Sequence, residues 1–268
     1  MTYLRANTLD ETMSLLVQYP DFMLLCGSTD AVLQLKNMPE NGGIIDIHAL
    51  AELRYIETDA DVMRIGTLTT VSDLLKSDAV RMHLPLLTAA AEAFGSHQIR
   101  NLATLGGNIA NASPAADLTA ALVALDASVT LGTKSGTRTV PLEELFCGYK
   151  CTKLHHEIIL AVNVPLQEHG WYYRKVGTRA RLNIAKVSLA AVKTAEGYRI
   201  GGASLGANAV RFRTLETLLG SGKYNDEAIQ EALKADTDPS GGYRSTAAYR
   251  LRVAFNMINE ALETLEGA

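Results

Sequence analysis

The run Ala103-Thr104-Leu105-Gly106-Gly107-Asn108-Ile109-Ala110-Asn111-Ala112-Ser113-Pro114-Ala115-Ala116-Asp117-Leu118 combines paired glycines, two amides, two hydroxyls and one carboxylate with almost no bulk. Glycines let the backbone meet a ligand closely, and Asn108, Asn111 and Ser113 offer short donors. Ser113-Pro114 has the form of an N-cap and first helical residue. A tight glycine turn into a capped helix, with Asp117 favouring the helix dipole, accounts for the run without a ligand. A second segment of the same kind argues for one. The apolar stretch Phe22-Met23-Leu24-Leu25-Cys26 stops at Gly27-Ser28-Thr29-Asp30, and helical spacing begins with Ala31, Val32, Leu33 and Leu35. Strand, glycine turn and helix start leave backbone N–H groups and the Ser28 and Thr29 hydroxyls to hold an anion such as a pyrophosphate. The G-x-G-x-x-G spacing of a Rossmann fold is absent.

The elements that must position these segments can be read from periodicity. Residues 3–6 predict a strand, a helix starts near Thr8, and strands follow over 23–26 and 44–47 with a helix between them ending near Asn37. Residues 54–57 and 62–66 predict a hairpin, then helices run over 70–77 and 83–94. The glycine-rich run reads as a loop, followed by a helix over 118–125 and a hairpin of 128–131 with 138–140. Beyond Pro165 strands are expected over 171–176, 185–194 and 198–205, with helices over 214–219, 226–235 and 246–265. Gly220-Ser221-Gly222 is the one flexible connection expected. The fold class is α+β: a two-lobed domain, 1–54 and 55–166, followed by a C-terminal antiparallel sheet with helices, 167–268.

With 268 residues and 47% hydrophobic composition the chain can bury a sizeable core. A net charge of −4 gives no footprint for nucleic acid. No stretch reaches the length of a membrane span and no targeting signal opens the chain, so a cytoplasmic protein is expected. Three cysteines, Cys26, Cys147 and Cys151, make no closed disulfide framework and are expected as thiols. They are too few for an iron–sulfur cluster, and His155-His156 beside Cys151 lacks metal-ligand spacing, so no metal is expected.

The two glycine segments, in this order and spacing, resemble the two FAD-binding segments of the flavoprotein component of the molybdenum hydroxylases, the xanthine dehydrogenase and carbon monoxide dehydrogenase family. The resemblance continues through Leu145-Phe146-Cys147-Gly148-Tyr149-Lys150-Cys151-Thr152, Glu157-Ile158-Ile159-Leu160 with Pro165, and Tyr173-Arg174-Lys175-Val176-Gly177-Thr178-Arg179 with Ile184-Ala185-Lys186-Val187. It thins near the C-terminus.

The resemblance implies FAD lying extended between the two lobes. Its first segment would be Leu25, Cys26, Gly27, Ser28, Thr29, Asp30 and Ala31, with the Gly27 turn on the pyrophosphate. Its second would be Ala103, Thr104, Gly106, Gly107, Asn108 and Asn111, near the ribityl chain and phosphates. Asp117 would accept from a sugar or adenine group, and Ile158 and Ile159 would lie against the flavin ring. Lys175, the catalytic candidate, would sit near the pyrimidine edge, where a cation favours added negative charge. Phe94 is implied beside the cofactor, although a core aromatic at a helix end explains it equally; Lys175 and Arg179 also read as surface residues, and His97 as an exposed or capping one.

Ser28 and Asp30 stand where relatives often carry Asn and Glu, Asn111 replaces a common Thr, and Leu182-Asn183 replaces an acidic pair near the acceptor's approach. The implied function is an FAD-binding electron-transfer subunit, with molybdopterin and 2Fe-2S clusters on partner subunits and NAD or another acceptor receiving the electrons. A free-standing FAD oxidoreductase and a non-catalytic assembly subunit are the alternatives.

Overall fold

The computed structural model describes residues 1–179 and 184–267. In the first lobe, strand β1 (Thr2–Arg5) leads into helix α1 (Leu9–Gln18), whose N-cap Thr8 accepts the Glu11 N–H. Strand β2 (Met23–Leu25), helix α2 (Ala31–Gln34) and strand β3 (Gly43–Asp46) follow. The central strand β3 is parallel to both neighbours. Parallel pairing needs crossover connections, which α1 and the α2 stretch supply. The helix expected to reach Asn37 is α-helical only to Gln34 and finishes as a 3-10 turn over Leu35–Asn37.

The second lobe opens with the expected hairpin of β4 (Ile56–Thr58) and β5 (Val62–Gly66). Five short helices come next: α3 (Val71–Lys76), α4 (Asp78–His83), α5 (Pro85–Glu92), α6 (His97–Leu102) and α7 (Leu105–Ala110). Thr70, Ser77, Ser96 and Thr104 cap four of them through their side chains, and Pro85 starts the other. Gly106 and Gly107 therefore lie inside a helix, not in the expected loop; the Thr104 cap and tertiary packing override glycine's poor helix propensity.

Helix α8 (Asp117–Ala124) is buried at every residue. Ala116 precedes it without a side-chain cap, and Ser113 Oγ instead accepts from Ala115 N at 3.3 Å, so the Ser113-Pro114 start expected from sequence is a turn three residues upstream of the helix. Strands β6 (Ser128–Thr133), β7 (Gly136–Pro141), β8 (Phe146–Gly148), β9 (Cys151–Thr152) and β10 (Ile158–Pro165) complete the lobe. The antiparallel sheet has the order β4-β5-β10-β6-β7, while β8 and β9 pair only with each other. Cys147 and Cys151, expected as thiols, are joined by a disulfide across this small hairpin, whose turn brings their Cα atoms to 5.2 Å. A spacing of four residues does not by itself reveal such a turn.

The third part is the antiparallel sheet β11 (Gly170–Val176), β12 (Val187–Thr194), β13 (Gly197–Ala203) and β14 (Val210–Arg211), in that order. Helices α9 (Arg213–Gly220), α10 (Asp226–Asp236) and α11 (Ala247–Glu266) cover one face. The other face receives α8: a Cβ on Gly201 would overlap the Ala120 carbonyl oxygen. Strand β12 is accordingly buried on both sides. Leu189 and Ala191 join the cluster under the C-terminal helices, and Ala190 and Val192 join the central core with Leu105, Leu118 and Val162. A helix apolar all round is what such a double-sided position requires. No helix among the described residues is long and apolar enough to cross a membrane.

Candidate functional site

The structure brings the two glycine segments into contact. Leu25 ends β2 opposite Asp46, and Cys26 and Gly27 then run against the second lobe. A Cβ on Gly27 would overlap the Leu102 carbonyl oxygen and stand 3.1 Å from Ala103 Cα, so the absent side chain serves a close approach between lobes. The Cys26 sulfur lies among the Thr104 hydroxyl and the Gly27 N–H, both of which favour a thiolate, yet burial dominates and pushes the thiol's pKa up. Ser28 adopts φ 61°, and its hydroxyl donates to Cys26 O at 3.1 Å. The N–H groups of Ser28, Thr29 and Asp30 find no acceptor among the described residues; Val32, one residue past Ala31, is the first to bond back, to Ser28 O. A row of such donors matches an anionic oxygen cluster.

Across from this turn, Thr104 accepts the Gly107 N–H at 3.1 Å, and Ala103 O accepts from Val71 N at 2.9 Å. Gly106 must be glycine because a Cβ would overlap Thr67 Oγ1, and a Cβ on Gly107 would stand 2.8 Å from Thr104 Oγ1, the oxygen that caps the helix. Asn108 Oδ1 accepts from Thr119 at 3.2 Å, which ties α7 to α8. Asn111 Oδ1 makes a long 3.5 Å contact with Gln34 Nε2, whose other acceptor, at 3.1 Å, is Asp30. Replacing the Thr104 cap by alanine is expected to cost about 1 kcal/mol of stability and to weaken cofactor retention, checked by thermal unfolding with and without added FAD.

The most buried ion pair among the described residues is one that sequence spacing could not join. Asp117 opens α8, and its Oδ2 lies 2.5 Å from Lys175 Nζ on β11; the two side chains are 6% and 8% exposed. Lys175 also donates to Ala93 O at 3.1 Å, which leaves one ammonium hydrogen for another partner. Burial pushes the Asp117 carboxyl up from its ordinary value, although the Lys175 cation opposes this. Lys175 is paired across the sheet with Ser188, and Tyr173 precedes it on the same strand face. The hydroxyls of both face Asp117 closely enough to bear on its charge, but Asp117 Oδ1, Tyr173 Oη and Ser188 Oγ have no hydrogen bond of normal geometry. Burial, with the Asp117 charge next, holds the Tyr173 phenol well above its usual range. Sequence reasoning missed Tyr173 and Ser188; the alternation Tyr173, Lys175 on one strand was the available signal.

Phe94 is half-buried against the central core. Beyond it Gly95, at φ 46°, and Ser96 border a cavity of about 420 Å³ that is also lined by Ile99, Thr178, Arg179, Ile184 and Arg244. His97 is the first residue of α6. Ile158 and Ile159 are buried on opposite sides of β10, Ile158 in the first lobe's core and Ile159 in the central one, so only one can face a given ligand ring. Leu182 and Asn183, the substituted acidic pair, lie outside the described residues.

Unsatisfied N–H donors at one end and an orphaned buried carboxylate oxygen beside an ammonium at the other suit a ligand with phosphates and hydroxyls, as FAD has. Residues 1–167 match the family described as FAD binding domain in molybdopterin dehydrogenase. The chain is 32% identical over 275 residues to the xanthine dehydrogenase FAD-binding subunit of Escherichia coli O157:H7, covering 97% of this chain and 94% of that one. It is 32% identical to the carbon monoxide dehydrogenase medium chain of Hydrogenophaga pseudoflava, covering 97% and 95%. A solved carbon monoxide dehydrogenase from Hydrogenophaga pseudoflava, lacking the Mo-pyranopterin moiety of its molybdenum cofactor, is similar over 100% of this chain and 97% of that chain, with a TM-score of 0.91 at 30% identity. Matched over more than half its length by the family and over nearly all of it by such subunits, the chain belongs to the FAD-binding subunits of the molybdopterin dehydrogenases and is a flavoprotein component of an oxidoreductase.

Proposed function

We propose that this chain is the electron-transfer subunit of a multi-subunit molybdenum hydroxylase, working with an iron–sulfur subunit and a molybdopterin-binding subunit. FAD supplies the ability to take electrons singly from iron–sulfur centres and to release them in pairs to NAD or another acceptor. The chain's own residues bind and orient it. The Ser28, Thr29 and Asp30 N–H groups hold phosphate oxygens, with Gly27, Leu25, Cys26 and Ala31 shaping that turn. Ala103, Thr104, Gly106, Gly107, Asn108 and Asn111 form the opposing wall. Asp117 Oδ1 accepts from a cofactor hydroxyl, Lys175 directs its remaining N–H at the ring edge, and Phe94 with one of Ile158 and Ile159 flanks the ring.

The observation that carries this reading is the buried Asp117–Lys175 pair, whose Oδ1 has no hydrogen bond of normal geometry although the Tyr173 and Ser188 hydroxyls face it, so that a ligand hydroxyl would complete its bonding. The open cavity of about 420 Å³, with the Arg244 guanidinium on its wall, offers a cation to a phosphate-bearing acceptor such as NAD. An absorbance spectrum of the purified chain with mass spectrometry of its released cofactor, metal analysis of the complex isolated from its host, and bleaching of the flavin band by NADH test the three parts. Bound FAD, stoichiometric molybdenum and iron on co-purified subunits, and bleaching are expected. Substrate turnover by the isolated chain would favour a free-standing oxidoreductase, and a colourless chain that takes up no FAD an assembly role.

A further inference from the structure

Cys147 and Cys151 are both exposed and close a hairpin that stands apart from the larger sheets. In its register Phe146 faces Thr152 and Gly148 faces Cys151, so Cys147 is the extra residue of a bulge; Gly148 and Lys150 take positive φ, 140° and 51°, at the turn. Five strand residues in two strands are too few to hold a hairpin in water without help. Phe146, buried in the central core, anchors the base of the hairpin, and the disulfide holds its tip. At the tip, Lys150 Nζ reaches back to the first lobe and lies 3.2 Å from Asp30 Oδ2, in the turn whose N–H groups are unsatisfied. Both partners of that ion pair are about a third or more exposed, so only an ordered hairpin keeps Lys150 in position.

We infer that Cys147 and Cys151 form a reversible redox site whose disulfide locks the hairpin, through Lys150, onto the Asp30 turn and slows FAD release, and whose reduction lets the hairpin fray and FAD leave faster. The inference rests on the reading that residues 28–30 hold the cofactor. Exposed disulfides that close short loops gain little from chain entropy and are the reducible kind. Closure requires a small disulfide such as glutathione disulfide as oxidant. One cysteine thiolate attacks a sulfur of that disulfide, forming a mixed disulfide and expelling one glutathione thiolate. The second cysteine thiolate then attacks the protein-bound sulfur, forming the Cys147–Cys151 bond and expelling the second. Two electrons pass from the protein to the oxidant, and the two thiol protons go to the released glutathiones.

The test uses the full chain loaded with FAD, equilibrated with glutathione disulfide or with reduced glutathione, its thiol state read by alkylation and intact mass. FAD release after dilution is followed by recovery of flavin fluorescence. The reduced chain is expected to release FAD about fivefold faster than the oxidised one. Cys147→Ser with Cys151→Ser should show the faster rate under both conditions, and Lys150→Met should show it with the disulfide intact. Equal release rates in the two verified redox states, or failure of glutathione disulfide to close the pair, overturn the inference. Gly27→Val separates the two readings: if it still retains FAD, the cofactor turn is misassigned and the redox inference falls with it, whereas its loss of FAD together with equal release rates in the native chain sinks the redox inference alone.

Discussion

Lys175→Met lowers the unfolding free energy by about 3–5 kcal/mol, because it strands the Asp117 carboxylate in the core without its cation. The loss has a pH signature. The folded-state pKa of Asp117 is already raised by burial, and Lys175 is what holds it down; removing the cation raises it further. Between the unfolded carboxyl's value of about 4 and the raised folded value, the unfolded chain releases a proton that the folded chain keeps, so the variant's stability falls as pH rises, by about 1.4 kcal/mol per unit. Asp117→Asn combined with Lys175→Met removes both charges, recovers most of the stability and flattens the slope. Denaturant unfolding from pH 4 to 8 on the three proteins measures this. Equal stability of Lys175→Met and the native chain at pH 7 would mean that the pair is not formed. In the flavin-loaded protein the same substitution lowers the flavin potential, and an unchanged potential would detach Lys175 from the ring.

Gly27→Val has a different target and a comparable effect. The added side chain meets main-chain atoms of Leu102 and Ala103, which no rotamer change can move aside, so the first lobe must back away from α6 and α7. The purified variant is expected to carry no FAD and to lose about 1–3 kcal/mol in the lobe contact. The single tryptophan, Trp171 on β11, lies in the C-terminal sheet and should keep its native emission, which separates loss of the site from loss of the fold. FAD content equal to that of the native chain would remove Gly27 from the cofactor turn.

Local chemistry makes much of the fold legible in the sequence. The helix start near Thr8, the hairpin of 54–57 with 62–66, and the strands over 171–176 and 198–205 are elements that the structure contains. What escaped was tertiary in origin. Two glycines argue locally for a loop over α7, while close contacts with Thr67 and Thr104 call for them in a helix. Strand β14 is two residues long and exists only by pairing with β13. The Asp117–Lys175 pair joins residues 58 apart through the packing of α8 and α5 against the C-terminal sheet, a contact no spacing rule encodes. The same holds for Lys150 and Asp30, 120 residues apart. What the structure shows of Gly27, Gly106 and Gly107 is a packing role: each leaves room for the opposite lobe or a neighbouring side chain.

Strand β10 also sets a timetable. Ile158 and Leu160 belong to the first lobe's core, Thr67 N donates to Leu160 O, and β10 lies between β5 and β6 in the second lobe's sheet. The first lobe is thus finished by residues made about 100 positions after its core residue Leu53, roughly 5–20 s later on a translating ribosome. Until then its apolar interior is incompletely covered and the ladder between β5 and β6 has a gap. On the proposed placement of FAD, cofactor capture is a late event in the life of the nascent chain, and a chain stopped before β10 exposes the apolar residues that draw chaperones and proteases.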